Sequence, residues 1–253
     1  MVQKRIILGS GYAAVGYALT RGETLIVEER EQLDTCFCLP LRAYHFPKRA
    51  PETALGRRFV ELCRELKIVK GELFNTGALE IALARLVLEG DLRPLVKCRV
   101  AEETEGGVLV YSNSGFIPLA AETVHDARTF GASPDRLTVL YEASDAEAAE
   151  RELVAAFDGV TCEPTVLDGR YAAHIRVDAT REPNALRAEI ARIWEGCVPH
   201  GRIFLIAPTL AAPLPSTAPT EPTLSDLAYA SPLAALEAGV QLAECEIEKE
   251  GMA

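Results

Sequence analysis

Three consecutive apolar residues, Ile6, Ile7 and Leu8, stop at Gly9-Ser10-Gly11 and are followed by an alanine-rich stretch from Tyr12 to Leu19. This order predicts a strand, a tight turn and a helix. After Gly22 the run from Thr24 to Val27 predicts a second strand, ending at Glu28 and Glu29. Residues 31–51 lose periodicity, so they are expected to form a loop across the end of a sheet, where ligands are commonly met. Leu55, Phe59, Leu62, Cys63 and Leu66 then recur at three- and four-residue intervals, which predicts an amphipathic helix over 52–66. A further helix is expected over 77–88, capped by Asn75 or Thr76 and stopped at Glu89-Gly90-Asp91.

The pattern then shortens. Strands are predicted at 95–100, 108–111, 116–119 and 123–126, with Asn113-Ser114-Gly115 as a hairpin turn. Between 136 and 196 the order is strand 137–141, helix 145–157, strand 160–166, an Asp168-Gly169 turn, strand 172–177 and helix 183–194. That order describes a small α+β lobe of the split βαβ kind. Leu186, Ile190 and Trp194, four apart, would cover its sheet. The apolar run 202–207 is expected to return to the first sheet. The proline-rich stretch 208–222 is a loop, either a lid or an interaction segment. A last helix covers 232–246. The division expected is one domain from 1–130 and 200–253, with 131–199 inserted as the lobe.

The first turn carries chemistry as well as shape. Gly9, Gly11 and Ala14 fit the spacing in which one glycine permits the turn, the next admits a pyrophosphate to the backbone, and a small residue lets helix and strand pack closely. The helix N terminus offers unpaired N–H groups to phosphate. Glu28 or Glu29 stands about twenty residues beyond the turn, where a carboxylate accepts hydrogen bonds from a ribose diol and disfavours a 2′-phosphate. The plainer reading is a tight strand-to-helix turn with no ligand.

Composition narrows the field. With 253 residues, 49% hydrophobic and 25% charged, the chain can bury a proper core. A net charge of -11 argues against nucleic acid or an anionic membrane as partner. No stretch has the roughly eighteen apolar residues of a membrane helix, and a cytoplasmic location is expected. The seven cysteines are mostly scattered, as suits reduced thiols. Cys36, Cys38 and His45 lack the second ligand pair of a zinc site, so no metal site is assigned. His125 reads as a hydrogen-bonded core histidine, His200 as a loop residue able to donate a proton, and Tyr12 and Tyr17 as packing residues.

Taken in order, these pieces resemble the flavin-dependent oxidoreductases of the glutathione reductase type, reduced to an FAD domain and a small substrate lobe. GSGYAAVG and LIVEE resemble that family's pyrophosphate and ribose motifs, GALEIALARLVLEGDLRPLVKCRV its adenine-side segment ending at Val100, and AETVHDART the strand that in the family finishes in Ala-Thr-Gly. Here the triplet is Ala127-Arg128-Thr129. The family's closing Gly-Asp is replaced by Ala207-Pro208 after the last strand, and Asp226 is the candidate for its carboxylate.

The resemblance implies an α/β fold, a Rossmann-like FAD-binding domain with a β-hairpin insertion plus the α+β lobe. It implies FAD held by Gly9, Gly11, Ala14, Glu28, Glu29, Arg42, Val100, Ala127 and Asp226. It also places Cys36 and Cys38 where related disulfide reductases carry a redox pair, with Arg42 able to lower a thiol pKa; the plainer reading is two small buried residues. The function implied is oxidation or reduction of a small molecule, with a homo-oligomer or a partner subunit as further associations. The alternatives are a non-catalytic relative acting as a subunit or partner-binding module, and an NAD-binding protein.

Overall fold

The computed structural model describes residues 2–33, 36–38, 41, 50–71, 73–128, 135–211 and 219–252. In chain order the first part contains β1 (Val2–Leu8), α1 (Tyr12–Arg21), β2 (Thr24–Val27), α2 (Ala54–Glu65), the short pair β3 (Val69–Lys70) and β4 (Leu73–Phe74), α3 (Leu79–Glu89), β5 (Arg99–Thr104), β6 (Gly107–Ser112) and β7 (Gly115–Asp126). The second part contains β8 (Arg136–Ala143), α4 (Ala146–Ala156), β9 (Thr161–Pro164), β10 (Arg170–Arg176), α5 (Pro183–Cys197) and β11 (Gly201–Ile206), and the chain closes with α6 (Pro232–Gly251).

The first sheet has the order β2-β1-β7-β6-β5. β1 runs parallel to β2 and to β7, with Leu8 opposite Val27 and Asp126, whereas β6 and β5 add antiparallel strands. Two apolar layers result. On one face Tyr12, Phe59, Leu62, Leu83 and Leu236 form the helix-side core; on the other Ile6, Leu8 and Val27 meet Cys98, Val108 and Val110. α1 and α6 cross where side chains are absent: a methyl on Gly16 would overlap the Leu236 carbonyl, and one on Gly239 the Ala13 carbonyl.

The strand expected over 95–100 is only partly formed. Leu95 makes a single parallel bridge to Val27, and β5 begins at Arg99. Between them Lys97 takes φ 57°, and its N–H and that of Cys98 turn back to Arg30 O and Glu28 O at 3.0 Å each. A positive φ at a non-glycine residue interrupts a ladder.

The second sheet has the order β11-β8-β10-β9 and is antiparallel throughout. The expectation that 202–207 returns to the first sheet is corrected here: β11 pairs with β8, Gly201 opposite Ala143. The lobe therefore has four strands and two helices in a double split βαβ arrangement, and β11 covers an edge that β8 would otherwise expose. Leu137, Val139, Tyr141 and Ile175 meet Leu153, Ile190 and Trp194 on the helical face, and Trp194 Nε1 donates to Gly201 O at 2.6 Å. Among the described residues no helix is long and apolar enough to cross a membrane.

Candidate functional site

The candidate site forms where β1 ends. Gly9 takes φ 90° and donates to Val27 O at 2.8 Å, while Ala127 N donates to Leu8 O at 2.8 Å, so α1 starts between the ends of β2 and β7. That crevice, outside the carboxyl ends of parallel strands, is where open α/β sheets take ligands. The first N–H groups of α1 have no partner within the helix and carry its positive dipole end.

Those N–H groups hold an anion supplied by the chain itself. Tyr12 N donates to Asp226 Oδ2 at 2.8 Å and Ala13 N to Asp226 Oδ1 at 2.9 Å, and both bonds are buried. Asp226 is 3% exposed. Gly11 makes the approach feasible, since a methyl there would overlap the carboxylate. Asp226 arrives on a self-bonded turn: Thr223 N donates to Tyr229 Oη at 2.8 Å, Tyr229 Oη donates to Thr223 O at 2.9 Å, and Ala228 N donates to Ser225 O at 3.1 Å. Leu224 and Tyr229 anchor this turn in the helix-side core.

At the end of β2, Glu28 is turned inward and Glu29 outward. Glu28 Oε2 accepts from Ser10 N at 2.8 Å and Ser10 Oγ at 2.6 Å, and Oε1 accepts from Arg30 N at 2.9 Å. Glu28 is 6% exposed. Ala14 is buried in the helix-side core, as the small position of the turn requires. Val100 packs against the apolar layer of Ile6, Leu8 and Val108. Ala127 packs against the helix-side core, and the next residue, Arg128, lies over Gly9 with its guanidinium held by Asp126 Oδ2 at 2.9 Å and Glu103 Oε1 at 2.7 Å. Asp126 is held below the usual carboxylate range by that side-chain bond to Arg128.

Cys38 is buried with Sγ 3.7 Å from Gly77 O, Cys36 is half-buried, and neither is in a disulfide. Phe37 between them packs edge-on against the Tyr12 ring, with centroids 5.6 Å apart, which places this segment beside the start of α1. Arg42, His45 and Thr129 lie outside the described residues. Among the described residues no group of three or more His, Cys, Asp or Glu is arranged to hold a metal ion. His125 is partly buried against Tyr17, its Nε2 3.5 Å from the phenol oxygen, and burial lowers its pKa. His200 sits in the lobe on Glu152.

Sequence reasoning missed one polar pair. His174 Nδ1 is 3.0 Å from Thr138 Oγ1, and Glu163 Oε2 lies 4.0 Å from His174 Nε2. Thr138 is fully buried and His174 nearly so, although both lie on the sheet face opposite α4 and α5. Strand alternation carries the available signal: Ala173 and Ile175 face the lobe core, so His174 faces the other way.

No protein-family model and no curated protein sequence matches the chain. Solved structures do. A p-nitrophenol 4-monooxygenase from Pseudomonas putida DLL-E4 is 10% identical with TM-score 0.52, over 81% of this chain and 67% of that one. A geranylgeranyl bacteriochlorophyll reductase-like protein from Thermoplasma acidophilum is 15% identical with TM-score 0.53, over 98% of this chain and 79% of that one. An aklavinone-11 hydroxylase, solved with FAD and aklavinone, is 13% identical with TM-score 0.51, over 96% of this chain and 61% of that one. The chain shares their fold.

Proposed function

We propose that the chain is an FAD-dependent oxidoreductase acting on a small molecule. The observation that carries this reading is the turn between β1 and α1: two buried N–H groups that bind an anion, with a buried carboxylate at the end of the adjacent parallel strand. Under this reading the start of α1 faces the pyrophosphate, and Asp226, which accepts from Tyr12 N and Ala13 N, is one of the residues that hold FAD. Gly9, Gly11 and Ala14 shape the turn, and Glu28 gives one oxygen to the ribose diol while Ser10 keeps the other. Val100 lies on the adenine side and Ala127 at the flavin end. When bound, the flavin supplies hydride transfer, and the protein supplies orientation and electrostatics.

The neighbours named as a p-nitrophenol monooxygenase and an aklavinone hydroxylase support a small-molecule substrate. The finer reading, a relative of the glutathione reductase type, is supported by Cys36 and Cys38 standing beside the start of α1. The test is direct. Purified protein is expected to be yellow, or to quench added FAD fluorescence saturably and stoichiometrically; colourless protein with no saturable quenching overturns the reading.

One observation favours a second reading. Asp226 already satisfies the two donors, so this fold can close without a cofactor and serve as a subunit or partner-binding module. Failure to bind FAD, together with a folded, cooperatively melting chain, supports that reading.

A further inference from the structure

We propose that the outer face of the β5-β6-β7 meander is a self-association surface, on which a second copy of this chain stacks about a two-fold axis. This surface includes none of the residues at the start of α1, so it is independent of the flavin reading.

An antiparallel sheet with one face on a core and the other in water normally alternates apolar and polar residues. The meander does not. Val100, Val108, Val110, Ile117 and Leu119 lie in the apolar layer with Ile6 and Leu8. Strand alternation then gives the opposite face Leu109, Tyr111, Phe116, Pro118 and Ala120. Tyr111 and Phe116 stand opposite each other beside the hairpin turn, 52% and 65% exposed, with ring centroids 5.2 Å apart. A contiguous exposed apolar strip of this kind marks a contact surface.

Charge names the partner. The register fixes the rows of the outer face: Arg99, Tyr111 and Phe116 in one, Glu102, Leu109 and Pro118 in the next. Glu102 reaches its row through the bulge between Val100 and Glu102, since in a regular ladder Ala101 would stand opposite Leu109. Arg99 and Glu102 are both exposed, and among the described residues neither side chain makes an ion pair or a hydrogen bond. A two-fold axis in the contact plane, perpendicular to the strands and midway between these rows, exchanges them. Arg99 of each copy then faces Glu102 of the other, Tyr111 faces Leu109, and Phe116 faces Pro118. Such self-complementarity is what an isologous contact requires. Stacked sheets lie about 10 Å apart, a gap that an arginine and a glutamate span together. Pairing edge to edge is disfavoured, because the outer strand β5 carries Arg99, Glu102, Glu103 and the bulge.

The experiment is sedimentation equilibrium of the full chain over a wide concentration range, for the wild type, Phe116→Asp, Arg99→Glu, Glu102→Arg and the Arg99→Glu/Glu102→Arg double variant. All three positions are exposed, so the variants are expected to melt like the wild type. Expected is a reversible monomer–dimer equilibrium in the wild type and monomer alone in Phe116→Asp. Each charge reversal sets like charges face to face twice per dimer and is expected to weaken association by about tenfold or more, and the double variant to restore it. A wild type that stays monomeric at every concentration, or grows into open-ended larger species, overturns the proposal. So does a dimer unaffected by Phe116→Asp. Single reversals without effect, or a double variant no tighter than either, overturn the pairing of the rows and with it the two-fold stack. If Phe116→Asp fails to fold, the wild type and the three charge variants decide.

Discussion

Glu28 and Glu29 are indistinguishable by type and adjacent in the chain, yet only Glu28 is buried, because Ser10 and the Arg30 amide donate three bonds to it. Glu28→Gln presents an amide NH₂ to donors that need an acceptor. Loss of about 1–3 kcal/mol of stability is expected for such a change at a buried charged hydrogen-bond centre, measured by chemical denaturation. Gly11→Ala sets a methyl against the Asp226 carboxylate, and overpacking of this kind costs about 1–3 kcal/mol. Paired with Asp226→Ala, it is expected to cost less than the sum of the two single changes, since the clash and the carboxylate vanish together. The glycine spacing and the acid were legible in the sequence because they lie within one strand-turn-helix-strand unit. Asp226 was reached only through the family resemblance, because 214 residues separate it from Tyr12 and no local pattern links them.

Among the elements, α1 and α6 carry the most consequential contact. Gly239→Ala drives a methyl into the Ala13 carbonyl, and α6 can relieve it only by moving off α1. A thermal melt is expected to report a loss above the usual range of about 1–3 kcal/mol for overpacking, since backbone rather than side chain must yield. The same helix pair buries Tyr17, whose phenol donates to Glu246 and lies near His125, with Arg5 and Arg21 beside it. Burial, and then Glu246, push the Tyr17 pKa from 10.0 up to about 12. A raised folded-state value favours the protonated form, so this contribution is whole below pH 10.0 and is lost as pH climbs toward about 12. Wild type is thus expected to lose stability more steeply than Tyr17→Phe across that window in denaturant melts at stepped pH. Helices were readable from their three- and four-residue periodicity. Strands were misread for physical reasons: apolar alternation does not reveal the positive φ of Lys97, and the four apolar residues Ile203 to Ile206 of β11 announce a strand without naming its neighbour.

At the scale of the whole molecule, two sheets carry separate apolar cores, and the chain's single tryptophan, Trp194, lies in the second. Its fluorescence therefore reports the lobe. Leu153→Ala removes a fully buried side chain from that core and is expected to destabilise the fluorescence transition by about 2–5 kcal/mol. Far-UV dichroism, which also sees α1, α3 and α6, is expected to shift less. The α/β architecture and the lobe were legible because the order of elements survives small errors in their bounds. The His174–Thr138 pair was not, because a histidine in an apolar strand does not say what covers its far face. The crossing of α1 with α6 also sets a timetable for folding. The apolar side of α1, from Tyr12 to Ala18, is synthesised more than two hundred residues before Gly239, the glycine that receives it. Translation must pass both sheets before that helix can be covered. Contacts of such long sequence separation form slowly and leave apolar surface open to association meanwhile. A nascent chain stalled before Pro232 should bind a holdase chaperone, and one stalled well past Gly239 should not.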